Sequence, residues 1–261
     1  MRQDRPQPAQ ACYICPPALQ PAGKTAQPTD QDPSMPAIHP LRVLRESWYF
    51  YSHHLGSLLC LCLPALLLEG LVRQQLAESS VELAPEVREV LVTLLFYPLY
   101  SAALILFLDA RSHQRDLPPR QLLGQVLQLW PAFAVLASLS TLLIMLGSYL
   151  LILPGLWVML RLLFAEYLLV LDRLAPLAAM RESFRLSRGY FWVSAACIFS
   201  VMPPLWLLDW WSYQQLGEQP DVLAQVLLDA GNGFLQLFVG VVGYRLFMLR
   251  RTVAPSDESV P

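Results

Sequence analysis

Residues Trp130 to Leu171 read WPAFAVLASLSTLLIMLGSYLLILPGLWVMLRLLFAEYLLVL, and only Arg161 and Glu166 within this stretch are charged. A helix needs roughly 20 apolar residues to cross the hydrocarbon core of a bilayer. The stretch is long enough for two such helices, with a Pro-Gly pair where the first would end. Trp130 to Leu153 and Gly155 to Leu171 are therefore predicted to be two consecutive membrane-spanning helices.

The same pattern continues through the rest of the chain. Four more apolar segments of similar length are Leu55 to Val72, Val90 to Leu108, Phe191 to Leu208 and about Gly233 to Met248. The chain is 55% hydrophobic and 15% charged, with a mean hydropathy of +0.43, whereas soluble domains have about 25% charged residues. The sequence thus predicts an all-α polytopic membrane protein with six transmembrane helices.

Basic residues are distributed unevenly between the two sides of this arrangement. If both termini lie on one side, that side holds nearly all of the lysines and arginines, including Arg111, Arg115 and Arg120 of one loop. The loops of the opposite side hold only Arg73 and Arg88. Because basic residues near spans are retained in the cytoplasm during insertion, both termini are predicted to be cytoplasmic. The net charge of −2 says little about partners.

The two ends of the chain differ from the predicted membrane domain, 41–251. Residues 1–40 contain nine prolines and six glutamines, and no apolar run long enough for a signal-peptide core. This composition predicts a disordered Pro/Gln-rich tail, and 252–261 is predicted to be a disordered cytoplasmic tail. Met35 lies just before the membrane domain, so one interpretation is that translation starts there and that 1–34 is not translated.

Three amphipathic segments on the cytoplasmic side are predicted to be interfacial helices, each followed by spans. In 41–55 and 177–191, apolar side chains recur at helical spacing beside arginines. The two segments share a pattern of apolar, Arg, Glu, Ser and aromatic residues, as Leu44-Arg45-Glu46-Ser47-Trp48 and Met180-Arg181-Glu182-Ser183-Phe184. A fainter copy runs from Arg120 to Trp130. One interpretation is a threefold repeat of an interfacial helix and a transmembrane hairpin; the other is that any polytopic protein needs amphipathic junctions at the bilayer surface.

The arginines of these segments are candidate contacts for anionic lipid headgroups. The candidates are Arg45, Arg181, Arg185 and Arg188. Each basic residue near an anionic membrane surface contributes on the order of 1 kcal/mol of attraction. Membrane lipids are therefore the first predicted partners, and nothing in the composition points to nucleic acid.

The string Leu153-Pro154-Gly155-Leu156-Trp157 joins the third and fourth spans. Proline cannot continue the preceding helix and glycine permits a tight reversal, so Pro154 and Gly155 are predicted to form the hairpin turn. With Arg161, Glu166, Ala175-Pro176 and the Arg-Glu-Ser segment up to Gly189-Tyr190-Phe191, the string resembles the YciC family of bacterial inner-membrane proteins. That family is similar to the membrane domain of some glycerophosphodiester phosphodiesterases. The resemblance covers about Pro40 to Arg251, and it implies a bacterial inner-membrane protein associated with envelope integrity and without a catalytic site.

Arg161 and Glu166 are the candidate functional residues within the spans. An ionised group at bilayer depth costs at least about 2.5–3.5 kcal/mol and normally faces a partner or a cavity. The two are five positions apart, so they lie about 140° apart around a helix and each is expected to point to another helix. The candidate partners are in the last span and are Asp229, Asn232 and Gln236, with Arg245 near its inner end. The functional hypothesis is a polar cavity that touches a substrate or headgroup; the alternative is a structural tie.

Motifs for enzyme chemistry are missing from the sequence. It has no HExxH, P-loop or GxSxG motif, and no cluster of acids and histidines for a metal, so no catalytic, cofactor-binding or metal-binding residue is predicted. Three hypotheses remain. The first is a non-enzymatic protein of cell-envelope maintenance that contacts anionic lipid; the second is a lipid or small-molecule transporter; the third is an accessory subunit of an envelope enzyme, which would need an envelope protein partner.

Overall fold

The computed structural model describes residues 40–78, 84–115, 118–188, 191–215 and 221–253. Nine α-helices make up 92% of these residues. They are α1 (Pro40–His53), α2 (Leu55–Glu78), α3 (Pro85–Ser112), α4 (Pro119–Leu150), α5 (Ile152–Leu162), α6 (Ala165–Asp172), α7 (Pro176–Leu186), α8 (Phe191–Gln214) and α9 (Val222–Val253). The predicted tails lie outside the described residues, except that Pro40 begins α1 and 252–253 end α9.

Six segments of the described chain are long and apolar enough to cross a membrane. They are Leu55–Ala77, Val87–Ser112, Arg120–Tyr149, Ile152–Asp172, Phe191–Gln214 and Val222–Thr252. Each overlaps one of the predicted spans, and most are longer because the helices continue into polar residues at their ends. A helix satisfies its backbone hydrogen bonds internally, which a chain in lipid requires. The predicted polytopic all-α fold is therefore confirmed.

The third helix, α3, lies at the centre of the spans. Every residue from Ser101 to Leu108 is buried, so this part of the helix is covered on all sides. A helix that is apolar and buried all round is typical of the interior of a bundle. Its neighbours are α2, α4, α6 and α9. A polar side chain in this part of α3 is therefore directed at another span rather than at lipid.

The predicted interfacial helix from Arg120 to Trp130 is not a separate element. These residues form the first turns of α4, a single helix of 32 residues that continues through Pro131. The prediction of a third separate helix was wrong because the apolar spacing of Leu123, Val126 and Trp130 suits either case. The other two short helices are present as α1 and α7.

The fourth span consists of two helices, whereas one continuous helix was predicted. The first helix ends at Leu162 and the second begins at Ala165. The buried hydroxyl of Ser183 in α7 donates to the carbonyl of Arg161 at 2.7 Å and accepts from the amide of Phe164 at 3.2 Å. Backbone groups at a helix end lack helical partners, so this one side chain satisfies two of them at the break.

The reversal between the third and fourth spans falls at Leu151, which corrects the predicted turn at Pro154 and Gly155. Leu151 has an extended backbone, with φ −165° and ψ 148°. Pro154 lies in the first turn of α5, where proline is tolerated because those amides have no intrahelical acceptor. A Cβ atom at Gly155 would lie 2.8 Å from the backbone nitrogen of Ser148. Gly155 thus allows α4 and α5 to approach closely.

Candidate functional site

Glu166 lies in the first turn of α6, directly after the break in the fourth span. Unpaired amides at a helix N-terminus favour a negatively charged side chain there. The carboxylate accepts a hydrogen bond from the hydroxyl of Tyr97 at 2.6 Å and another from Ser101 at 3.1 Å. Both donors belong to α3, where a spacing of four residues puts them on one face. The break in the span therefore turns Glu166 toward the central helix.

A cavity of about 430 Å³ opens beside this carboxylate. Residues from α3, α4, α5, α6, α8 and α9 line it. Its polar members include Tyr97, Tyr100, Ser101, Glu166, Tyr167 and Gln236. The remaining lining is mostly aliphatic, with Ile198, Met202 and Leu205 on the α8 side. A concave, largely apolar space with a few converging polar groups is typical of a small-molecule site.

Glu166 is the one charged side chain among the described residues that line the cavity. It forms no ion pair within the described part of the chain; its side-chain partners there are the hydroxyls of Tyr97 and Ser101. Ionised carboxylates have room for about four hydrogen bonds. The oxygens of Glu166 can therefore still accept bonds from the side of the cavity.

Tyr167 fixes the position of the last span next to the cavity. Its hydroxyl donates to the carbonyl of Gly240 at 2.8 Å. A Cβ atom at Gly243 would clash with the hydroxyl of Tyr167 and lie 3.2 Å from its Cζ. The glycines of α9 thus serve as the small surface that accepts a large side chain from α6, in agreement with close helix packing at small residues in membranes.

Arg161 does not line the cavity, so the two predicted charges lie in different environments. Its guanidinium donates to the carbonyl of Phe184 at 3.4 Å and to the hydroxyl of Ser187 at 3.2 Å. The same group lies over the rings of Trp157 and Phe191, 5.1 and 5.7 Å from their centroids. Such cation–π contacts stabilise a cation by about 0.5–2 kcal/mol. Arg161 therefore ties α5 to the end of α7 and the start of α8.

Two of the predicted partners in the last span, Asp229 and Asn232, pair with the fifth span instead, and Arg245 pairs with Glu46 of α1. The hydroxyl of Tyr213 donates to the carboxylate of Asp229, and Asn232 donates to Asp209 at 2.6 Å. Gln236 lines the cavity but has no hydrogen bond to Glu166. The prediction that Asp229 and Asn232 face Arg161 or Glu166 was wrong. Helix pairing cannot be deduced from the depth of a polar residue alone.

A second polar cluster, which the sequence analysis missed, borders the cavity at Thr93. Glu69 of α2 is only 6% exposed and pairs with Arg73 at 2.9 Å. The hydroxyl of Thr93 lies 3.5 Å from the same carboxylate oxygen and also lines the cavity. The sequence signal that could have revealed this cluster is a Glu and an Arg four residues apart in an apolar segment. That spacing places the two side chains on one face of a helix, where they can pair.

The arginines predicted to contact headgroups lie at the surface. Arg45, Arg181, Arg185 and Arg188 are all exposed, and Arg185 pairs with Glu182 at 2.8 Å.

The Arg-Glu-Ser pattern has different contacts in its two copies. In α1, Glu46 accepts two bonds from Arg245 of α9 at 2.5 and 3.1 Å. The shared pattern therefore does not mean a shared set of contacts.

With six helices that are long and apolar enough to cross a membrane, this chain belongs to the class of polytopic α-helical membrane proteins. Comparisons of the chain with protein-family models, with curated proteins and with solved structures find no match. Its function must therefore be inferred from the chemistry of its own residues.

Proposed function

We propose that this protein binds an amphipathic molecule, a membrane lipid or a compound of similar character, in the cavity beside Glu166. The observation that carries this proposal is an ionisable side chain that borders a cavity within the spans. Ionisable groups at membrane depth are costly and commonly mark a pathway for a substrate or an ion.

The size and lining of the cavity support this proposal. A volume of about 430 Å³ falls in the range of roughly 300–1,000 Å³ that is usual for small-molecule sites. Polar side chains are contributed by α3, α4, α6 and α9, whereas the α8 side is aliphatic apart from Trp206. A ligand with a polar head and an apolar body would satisfy both parts.

The wider setting that we propose is the bacterial inner membrane, with both termini in the cytoplasm. The concentration of basic residues on one side supports this orientation, as does the sequence resemblance to the YciC family. Exposed Arg45, Arg181 and Arg188 would then contact anionic headgroups. In this setting the protein would have a non-enzymatic role in envelope maintenance, by holding or moving the molecule that it binds.

Filling the cavity tests the proposal. Ser140 lines the cavity from α4, and Leu142 of the same helix is 65% exposed on its outer surface. The purified full chain, Ser140→Phe and the matched control Leu142→Phe would be analysed by native mass spectrometry after extraction from a bacterial membrane. We expect a lipid or small molecule that is retained by the wild type and by Leu142→Phe and lost from Ser140→Phe. Equal retention by all three proteins would contradict the proposal.

A further inference from the structure

Four aromatic side chains form part of the cavity wall, and one of them, Tyr97, contacts Glu166. Tyr97, Tyr100, Tyr167 and Trp206 all line the cavity. The rings of Tyr97 and Tyr100 meet edge to face, with centroids 5.6 Å apart. Aromatic faces attract cations, and groups of aromatic rings are a recurring way to recognise organic ammonium ions. The wall therefore offers a surface for a cationic group as well as for hydrocarbon.

The charge of the cavity points to the same kind of ligand. Glu166 is its one charged lining residue within the described chain, and no Arg, Lys or His forms an ion pair with it there. Electrostatic interactions are strong in a medium of low dielectric constant. An anionic headgroup would be repelled by an ionised carboxylate. A carboxyl group without a counter-charge in such a medium tends to take up a proton, whereas a cation bound beside it favours the ionised form. A cation would supply the missing opposite charge.

The remaining lining limits the form of that cation. A metal ion would need several strong ligands, and the described residues contain no group of three or more His, Cys, Asp or Glu side chains that could hold one. Besides Glu166, the cavity lining consists of hydroxyl, amide, aromatic, thioether and aliphatic groups. An organic ammonium ion has methyl or methylene groups around its charge, so it suits the aromatic and the aliphatic parts of the wall. Its apolar body would lie against the aliphatic side chains of α8, which are Ile198, Met202 and Leu205.

We propose that the cavity binds an organic ammonium cation with an apolar body, whose charged nitrogen lies between the carboxylate of Glu166 and the aromatic rings. This inference rests on the proposed function, because it names the chemical class of the ligand for the same cavity. The ammonium group can belong to the headgroup of an aminophospholipid or to a free amphipathic amine. Both have the chemistry that the lining recognises.

The test uses the full chain in a non-ionic maltoside detergent, so that the micelle does not concentrate the cation. The probes are benzyltrimethylammonium and its neutral carbon analogue, neopentylbenzene, titrated calorimetrically into each protein. We expect the wild type to bind the cation more tightly than the analogue. Glu166→Gln keeps the shape of the side chain and can still accept from Tyr97, and it should weaken binding of the cation by about tenfold or more while leaving the analogue unaffected.

A second pair of variants keeps the test decisive if Glu166→Gln fails to fold. Trp206 lines the cavity, whereas Trp210 lies one turn further along α8 and does not; the two are 62% and 61% exposed. Trp206→Leu should weaken binding of the cation by about threefold or more, and Trp210→Leu should not change it. Equal affinities in these two variants, or equal binding of cation and analogue by the wild type, would overturn the ammonium assignment.

The outcomes separate this inference from the proposed function. If Ser140→Phe expels a bound molecule but the cation has no advantage over its analogue, the cavity is a binding site and the ammonium assignment is wrong. If Ser140→Phe retains the same molecules as the wild type, the proposed function is wrong, and the ammonium assignment that rests on it is wrong as well. Native mass spectrometry then distinguishes the two sources: an aminophospholipid retained by the wild type and lost from Glu166→Gln identifies a lipid headgroup, whereas binding of the probe without such a lipid identifies a free cation.

Discussion

Ser183→Ala should destabilise the protein much more than the same substitution at the matching serine, Ser47. Both serines follow Arg-Glu in the shared pattern, and both are buried, at 0% and 2% exposure. The hydroxyl of Ser183 makes two hydrogen bonds, to the carbonyl of Arg161 and from the amide of Phe164. The hydroxyl of Ser47 has no partner among the described residues. The two substitutions remove the same atom from environments that differ in hydrogen bonding.

The expected difference follows from the two backbone groups. A buried polar group left without its partner costs about 1–3 kcal/mol, and Ser183→Ala leaves two of them at a position that is fully buried. We therefore expect the free energy of unfolding to fall by about 2–4 kcal/mol, allowing for partial relaxation. Ser47→Ala removes a buried hydroxyl that has no partner, so it should be neutral or stabilising by up to about 1 kcal/mol.

Unfolding in mixed dodecyl sulfate and maltoside micelles, followed by circular dichroism, measures both variants against the wild type. Hydrogen exchange adds a local measurement, because the amide of Phe164 should exchange faster in Ser183→Ala and at the wild-type rate in Ser47→Ala. Equal loss of stability in the two variants, or unchanged exchange at Phe164, would refute the stabilising role of the Ser183 hydroxyl. The break between α5 and α6 would then be stabilised by packing alone.

Two further predictions concern helix packing and pH. Gly243→Ala should lower the free energy of unfolding by about 1–3 kcal/mol, because its Cβ would clash with the hydroxyl of Tyr167; adding Tyr167→Phe should recover part of the loss. The control Gly231→Ala has open space at its Cβ and should be neutral or slightly stabilising, and a destabilisation equal to that of Gly243→Ala would contradict the prediction. Burial, with smaller contributions from the charges of Arg111 and a neighbouring histidine, lowers the pKa of His54. The unfolded chain then binds the proton more readily than the folded one, so the free energy of unfolding is highest above about pH 6.5 and falls below it. Between pH 7.5 and pH 5.5, chemical unfolding should show a smaller decrease in this free energy for His54→Gln than for the wild type. An equal decrease in the two proteins would rule His54 out as the cause.

The spans could be predicted from the sequence because lipid imposes one simple requirement. Backbone groups in the hydrocarbon must be paired within the chain, so a long apolar segment has few alternatives to a helix. The break at Leu163 and Phe164 was not predictable in this way. It depends on the hydroxyl of Ser183, which is about twenty residues away along the chain. Hydropathy contains no information about such a distant partner.

The role of Gly155 shows a different limit. Proline followed by glycine is typical of a turn, yet the chain reverses three residues earlier and α5 already includes both residues. The requirement for glycine comes from the nearby backbone of Ser148. Local sequence indicates that a residue without a side chain is needed, but it does not show whether the cause is a turn or a close contact between helices.

The polar residues within the spans divide into two groups according to what surrounds them, and this division is the strongest reason to treat Glu166 as functional. Arg161 bonds to α7, Asn232 to Asp209, and Glu69 to Arg73, so each satisfies another protein group directly. Glu166 has two hydrogen bonds and also borders a cavity, without a positively charged partner among the described residues. A neutral amide could join the two helices without the cost of placing an ionisable group in the spans. Unlike an amide, a carboxyl group beside the cavity can become the counter-charge of a bound cation.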